Sequence, residues 1–419
     1  MSCLIANVFH ISLNPRGGSE RLAIATIQAL SEMDIDIELT TLEKPNLLQI
    51  KSAYGESAVS VIESIRTIKL LQSVGSLDVK KYYDLTINTH GDMFPYSLPN
   101  LLKSNAITYC HFPLAKYLID SEDPEYTRFL NKINLPTINT TIRCSQNLLQ
   151  SASTAYINML KNSTVVTNSE YSRKAIRKIF GIDSTVLSPP VDVNVFRNRA
   201  LLHSFSNPRE DIILVISRFH PSKKIENAIV LAKLLKQYKI GTGMKIVGNL
   251  TPARYGYYFY LKQTVNDYDL TDYVTFEINV SFDKLLELMR KSKIYFHPLV
   301  GEPFGISTVE AMSAGLIPIV PDIGGHTEFV PLKYQFHTFG EGVEAIASAL
   351  DVPYSERVLI SNSVRKYSIQ SYTQHLQQTI EKMLITIPES KQQHKEQNQK
   401  QQKIDIATTI NSKLSRKYT

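Results

Sequence analysis

At 419 residues and 43% hydrophobic, the chain is long enough for two or three ordinary domains with substantial cores. Its formal charge of +7 does not signal a nucleic-acid groove: from Pro388 onward seven Lys or Arg stand against three acids, so that tail alone carries +4 and little net charge is left on the folded part. Cys3, Cys110 and Cys144 are too few and too scattered for a disulfide framework or a zinc site. They point to a reducing compartment.

The N-terminus MSCLIANVFHISLNP lacks the basic start and long apolar core of a signal peptide. No segment reaches the roughly 18 to 20 apolar residues that cross a bilayer. A cytoplasmic protein is expected.

Apolar runs of strand length then alternate with helical patterns to about residue 385, the habit of a parallel α/β sheet. CLIANVF reads as the first buried strand, with His10 after it. The following turn, NPRGGSER, places Gly17 and Gly18 just before a helix starting near Ser19, ERLAIATIQALSEM. Glycines there let the backbone approach an anion, and helix N–H groups favour phosphate, although a tight turn also explains them. The spacing is not GxGxxG, so a nicotinamide site is not indicated.

IDIELTTL, DLTINTH, NAITYCHF and STVVTN continue the first sheet. His111 follows a strand and precedes Phe112-Pro113. At a carboxyl end it can hydrogen-bond a ligand, and a satisfied half-buried histidine is the alternative. Histidines 90, 203, 220, 297, 326, 337, 375 and 394 receive no role. SEYSRKAIRKIF sets Arg173, Lys174, Arg177 and Lys178 beside Ile176, Ile179 and Phe180. Such a helix can rest on anionic headgroups or simply cover a sheet.

LSPPVDVNVFRNRALLHSFSNPRED has no sustained period, which places an interdomain linker at about 189 to 210. DIILVIS, MKIVG, YVTFEI, KIYFHPL and LIPIVP are strands of a second sheet, with KIENAIVLAKLLKQY and SFDKLLELMRKS as helices. The expected fold is therefore two doubly wound parallel sheets, over 1–195 and 205–370, facing a central cleft. The helix SYTQHLQQTIEKMLITI, at 371–387, is expected to return to the first domain, and 388–419 is a polar, disordered tail.

Arg218 and Lys223 follow the first strand of the second sheet. Two cations there can clamp a diphosphate and stabilise it as it departs. After KIYFHPL comes GEPFGISTVEAMSAG, with Glu302 and Glu310 eight residues apart. A helix beginning near Phe304 sets Glu310 inside it and Glu302 in the loop before it, facing one cleft. Glu310 can accept two ribose hydroxyls, while Glu302 and the N–H groups of Phe304, Gly305 and Ile306 can meet sugar hydroxyls. PDIGGHTEFV adds Gly324 and Gly325, where backbone can approach a ligand, with Glu328 beyond.

These residues resemble the retaining GT-B glycosyltransferases of family four over most of residues 1 to 385. The most specific stretch is the E-x7-E of GEPFGISTVEAMSAG; SRFHPSKK, PPVDVNVF and VVTNSEYS fall in the same order. The resemblance implies two Rossmann-like domains, Glu310 on the ribose, Glu302 by the donor sugar, Arg218 and Lys223 on the diphosphate, Gly17 and Gly18 closing over the phosphates, and His111 near the reacting carbon. It implies no metal and no cofactor beyond the donor, and no DxD stands at a plausible strand end.

Ile278 replaces a family glycine near the base, leaving the base open, and Lys224 replaces a glycine on what is expected to be the helix. ITYCHFP and EPFGISTVEAMSAGLIPI look most like the mannosyltransferases that extend lipid-linked oligosaccharides. That implies GDP-mannose, with a UDP-hexose as the other donor, and a glycan or lipid-linked glycan acceptor reached by peripheral contact with the inner membrane face. A nucleotide-sugar epimerase or a non-catalytic sugar-nucleotide-binding protein of the same fold remain as alternatives.

Overall fold

The computed structural model describes residues 4–15, 17–70, 83–90, 105–114, 145–202 and 208–385. Both sheets belong to one compact unit, Met1–His375, and Leu376–Thr419 form a second. The tail expected at 388–419 lies outside the described residues.

The first sheet holds β1 (Ile5–Phe9), β2 (Asp36–Thr41), β3 (Thr67–Leu70), β4 (Leu85–Asn88), β5 (Asn105–Cys110), β6 (Thr164–Thr167) and β7 (Thr185–Val186), ordered β3-β2-β1-β4-β5-β6-β7. Every pairing is parallel; Val8 of β1 lies between Leu39 and Ile87. The second holds β8 (Glu210–Ile216), β9 (Gly243–Gly248), β10 (Val274–Ile278), β11 (Ser292–Phe296), β12 (Ile317–Pro321) and β13 (Gln335–Phe336), ordered β10-β9-β8-β11-β12-β13. Central strands are apolar along their length because helices cover both faces. Ile213, Leu214, Val215, Ile294, Phe296 and Ile319 are fully buried.

The strand order reverses between β1 and β4 and between β8 and β11, so the loops after those strands open the crevices where ligands bind in such sheets. His10 and Thr89 end the first pair, and Ser217-Arg218 and His297 end the second.

Three differences from the expected elements have physical causes. β3, β7 and β13 are short edge strands, and β3 is largely exposed, so no apolar run announces them. The aperiodic PPVDVNVF is not a free linker: Val191, Val193, Phe196 and Ala200 are buried in the second core, and Asp192 caps the short helix Val193–Phe196.

The third concerns Lys224, which is not on the helix. It is the N-cap of Ile225–Gln237 at φ +51° and ψ +43°, the left-handed region that favours glycine. Ile278, the last residue of β10, packs against the second core. Among the described residues no helix is long and apolar enough to cross a membrane.

Candidate functional site

The helix carrying Glu310 runs Ile306–Ser313, starting two residues later than expected. Gly305 caps it at φ +97°, while Phe304 is buried against the rings of Phe329 and Tyr367. The first N–H groups of this helix, from Ile306 and Ser307, have no intrahelical acceptor.

Gly324 and Gly325 prop this loop. Glu302 bridges to Gly324, and Gly325 N–H donates to Glu302 O at 2.7 Å. A Cβ on Gly325 would stand 2.1 Å from Pro303 O, so only glycine allows that approach.

Glu302 is the centre of a buried charge network. Lys223 Nζ lies 2.9 Å and His297 Nε2 3.5 Å from its Oε2. His297 Nδ1 meets Tyr295 Oη at 2.9 Å, and Tyr295 Oη meets Ser307 Oγ at 2.8 Å. Burial pushes the Glu302 carboxyl up, but Lys223 and His297 outweigh it and hold the group well below the usual carboxylate range. Glu302 is therefore ionised and fixed.

Glu310 is buried with less support. Burial raises its carboxyl, Asp192 adds to that, and Arg21 opposes both. Arg21 Nη2 stands 3.7 Å from Glu310 Oε1, and Arg21 belongs to the helix Gly18–Ser31 of the opposite domain.

Gly17 and Gly18 begin that helix. A Cβ on Gly18 would sit 2.2 Å from Ile306 Cδ1, so the glycine turn and the Glu310 helix face each other directly. Gly17 N–H donates to Tyr54 Oη at 2.9 Å. Beneath the turn, Thr89 Oγ1 donates to Phe9 O, so the 2.9 Å contact with His10 Nδ1 requires the histidine to donate. His10 Nε2 then faces Glu20 Oε1 at 3.8 Å. Burial raises the Glu20 carboxyl, and the neighbouring His10 with its local hydrogen bonds outweighs that and lowers it.

His111 Nε2 lies 3.2 Å from Thr89 O, which fixes Nε2 as the protonated nitrogen and leaves Nδ1 as an acceptor. His90 packs beside His10, and burial with the neighbouring His10 and His111 holds it well below its ordinary value. Among the described residues no cluster of His, Cys, Asp and Glu is arranged to hold a metal ion.

The structure thus brings Glu302 to Lys223, Glu310 to Arg21, and Gly18 to Ile306. Arg218, in the loop after β8, is exposed at the mouth of that strand. His297, Arg21 and Glu328 were not expected. His297 had a usable signal, since it ends β11 as His111 ends β5. Arg21 and Glu328 had none, because their partners lie across the cleft. Glu328 caps the helix Glu170–Phe180, accepting from Glu170 N at 3.2 Å and Tyr171 N at 2.8 Å, and Ser169 Oγ donates to Pro303 O at 2.6 Å.

Residues 203–363 match the family described as Glycosyl transferases group 1. The chain is 26% identical over 259 residues to the GDP-Man:Man(3)GlcNAc(2)-PP-Dol alpha-1,2-mannosyltransferase of Dictyostelium discoideum, covering 58% of this chain and 51% of that protein. The protein of the same name from Neurospora crassa is 26% identical over 264 residues, covering 54% and 47%. The chain spans about half the length of these curated relatives. Among solved structures, sucrose-phosphate synthase from Thermosynechococcus elongatus superposes with a TM-score of 0.65 at 15% identity, covering 92% of this chain and 100% of that one. The architecture is GT-B, and the glycosyl transferases group 1 match falls on its second sheet domain.

Proposed function

We propose that this chain is a retaining mannosyltransferase that moves mannose from GDP-mannose to a hydroxyl of a lipid-linked glycan. The observation that carries the reading is the pair of buried glutamates flanking one helix start, Glu302 joined to Lys223 and Glu310 facing the glycine turn. The activity for which the mannosyltransferase relatives are named supports the choice of sugar, base and acceptor class.

Glu310 receives the ribose diol, and the N–H groups opening its helix meet the donor. Lys223 carries three donor hydrogens, so it can keep Glu302 and still bond a phosphate oxygen. Arg218, exposed in the loop after the same strand, supplies the second charge on the diphosphate. As the bond from the anomeric carbon to the β-phosphate oxygen breaks, the acceptor oxygen bonds that carbon on the same face. The departing phosphate takes the acceptor's proton, and GDP leaves. No protein nucleophile is needed, and the Lys and Arg charges stabilise the leaving group without a metal. His111 contacts the sugar through Nδ1.

The test is transfer from GDP-mannose and from UDP-glucose to a polyprenyl-diphosphate oligosaccharide in detergent, with EDTA present. An α-linked mannosylated product is expected only with GDP-mannose. Hydrolysis or epimerisation without a glycoside, or complete loss in EDTA restored by magnesium, counts against the reading.

Reaching such an acceptor calls for peripheral membrane contact from the cytoplasmic side. On the helix Glu170–Phe180, Ile176 is buried, Phe180 packs on Tyr156, and Arg173 pairs with Glu170 and Asp183. Lys174, Arg177, Lys178 and Ile179 remain exposed. They support an electrostatic contact and not an inserted apolar face. Co-sedimentation with anionic vesicles at low salt, lost when the three cations become Gln, is the expected result; binding that ignores both salt and these substitutions removes this surface.

A further inference from the structure

Arg21 lies in the first turn of Gly18–Ser31, three residues beyond the glycine that touches Ile306. Its guanidinium is held from two sides. Cζ stands 5.7 Å from the Tyr54 ring centroid, and Nη2 stands 3.7 Å from Glu310 Oε1. Tyr54 is itself tied to the glycine turn: its hydroxyl meets Gly17 N at 2.9 Å, Gly17 O at 3.0 Å and Pro15 O at 3.1 Å. One aromatic side chain therefore fixes both the turn and the arginine.

The two charged side chains are only 17% and 14% exposed, so the pair is little screened by water. Yet 3.7 Å is longer than a hydrogen bond. The arginine supplies charge without occupying the lone pairs of the carboxylate, which stay open to hydroxyl donors. Burial and Asp192 raise the cost of charge on Glu310, and Arg21 is the cation that opposes both effects. A protonated carboxyl there would be a poorer acceptor for two hydroxyls, since one oxygen becomes a donor.

We propose that Arg21 is a positioning residue for the donor, reaching across the cleft from the N-terminal domain to keep Glu310 an oriented carboxylate that receives both ribose hydroxyls. The inference rests on the reading of Glu310 as the ribose acceptor. It makes recognition of the ribose a property of both domains together, because the charge that completes the acceptor comes from the domain that does not carry it.

The test is calorimetry of GDP and 2′,3′-dideoxy-GDP with the wild type, Arg21→Met, Arg21→Lys and Glu310→Gln. UDP and 2′,3′-dideoxy-UDP give the same comparison if the base is uracil. The wild type should bind the ribonucleotide about tenfold to a hundredfold more tightly than the dideoxy form. Arg21→Met should collapse that ratio toward one while leaving affinity for the dideoxy nucleotide unchanged, and Arg21→Lys should restore most of it.

Arg21→Met with the wild-type ratio, or with both nucleotides weakened equally as a merely structural role requires, overturns the inference. Arg21→Gln, which keeps a polar chain against Tyr54, gives the same readout if Arg21→Met does not fold. A wild type that binds both nucleotides equally, or Glu310→Gln that keeps the ratio, instead overturns the ribose reading of Glu310.

Discussion

Lys223 and Glu302 form a 2.9 Å ion pair between the loop after β8 and the loop after β11, the two strands at which the second sheet reverses its order. The pair is one-quarter and one-seventh exposed, so its geometry is set before any ligand arrives. Lys223→Ala should lower turnover by about 10² to 10³. It should also leave Glu302 buried without its strongest partner, so that its carboxyl rises and activity falls away at acid pH sooner than in the wild type. Arg218→Ala should lower turnover without that acid shift, because Arg218 takes no part in the pair. Initial rates against pH for both variants check this; overlapping profiles would contradict it.

Glu310→Gln should separate stability from binding. Burial holds the Glu310 carboxyl above its ordinary value. A raised carboxyl favours the folded state below the unfolded pKa, and that contribution is lost as pH rises through the folded one. At neutral pH, above the unfolded value, the raised carboxyl therefore costs the ligand-free protein stability. The Gln variant should melt higher than the wild type at pH 7, with the difference shrinking toward pH 4, while losing about tenfold or more in donor affinity. A lower melting temperature at pH 7 would refute the sign.

Lys224→Gly tests backbone strain. A side chain at φ +51° costs roughly 1 to 2 kcal/mol, against about 0.5 to 1 kcal/mol for the extra freedom glycine has when unfolded. Strain wins, so the variant should gain up to about 1 kcal/mol in a urea titration with activity unchanged. Among the described residues, the Lys224 side chain has one long contact, 3.7 Å to Glu226 in the first turn of the helix it caps, which gives little to lose.

Glu328→Ala removes the carboxylate that caps Glu170–Phe180 from the other domain. The loss should be about 0.5 to 2 kcal/mol, and Glu328→Gln should recover part of it. Equal unfolding midpoints for all three proteins would show the cap to be idle.

Much of this site is legible from local patterns. GEPFGISTVEAMSAG announces a helix with one acid before its start and one inside it, and Arg218 and Lys223 stand where a strand ends. The helix start moved from Phe304 to Ile306 because Phe304 is drawn into a ring cluster with Phe329 and Tyr367, neighbours that only the fold supplies. Lys224 was misplaced for a related reason: helical periodicity does not show where the cap falls. Arg21 pairs with a residue 289 positions away, and no spacing along the chain encodes that meeting.

The Ser169 hydroxyl on Pro303 O and the Glu328 carboxylate on the amides of Glu170 and Tyr171 join the same two segments that border the glutamate helix. If the proposed transfer releases its nucleotide by breaking these contacts, each cycle includes a parting of the two domains, a motion that in many enzymes with closing lids is slower than bond exchange. A steady-state rate that slows with added viscogen, beside a single-turnover rate that does not, is the kinetic mark such a gate leaves.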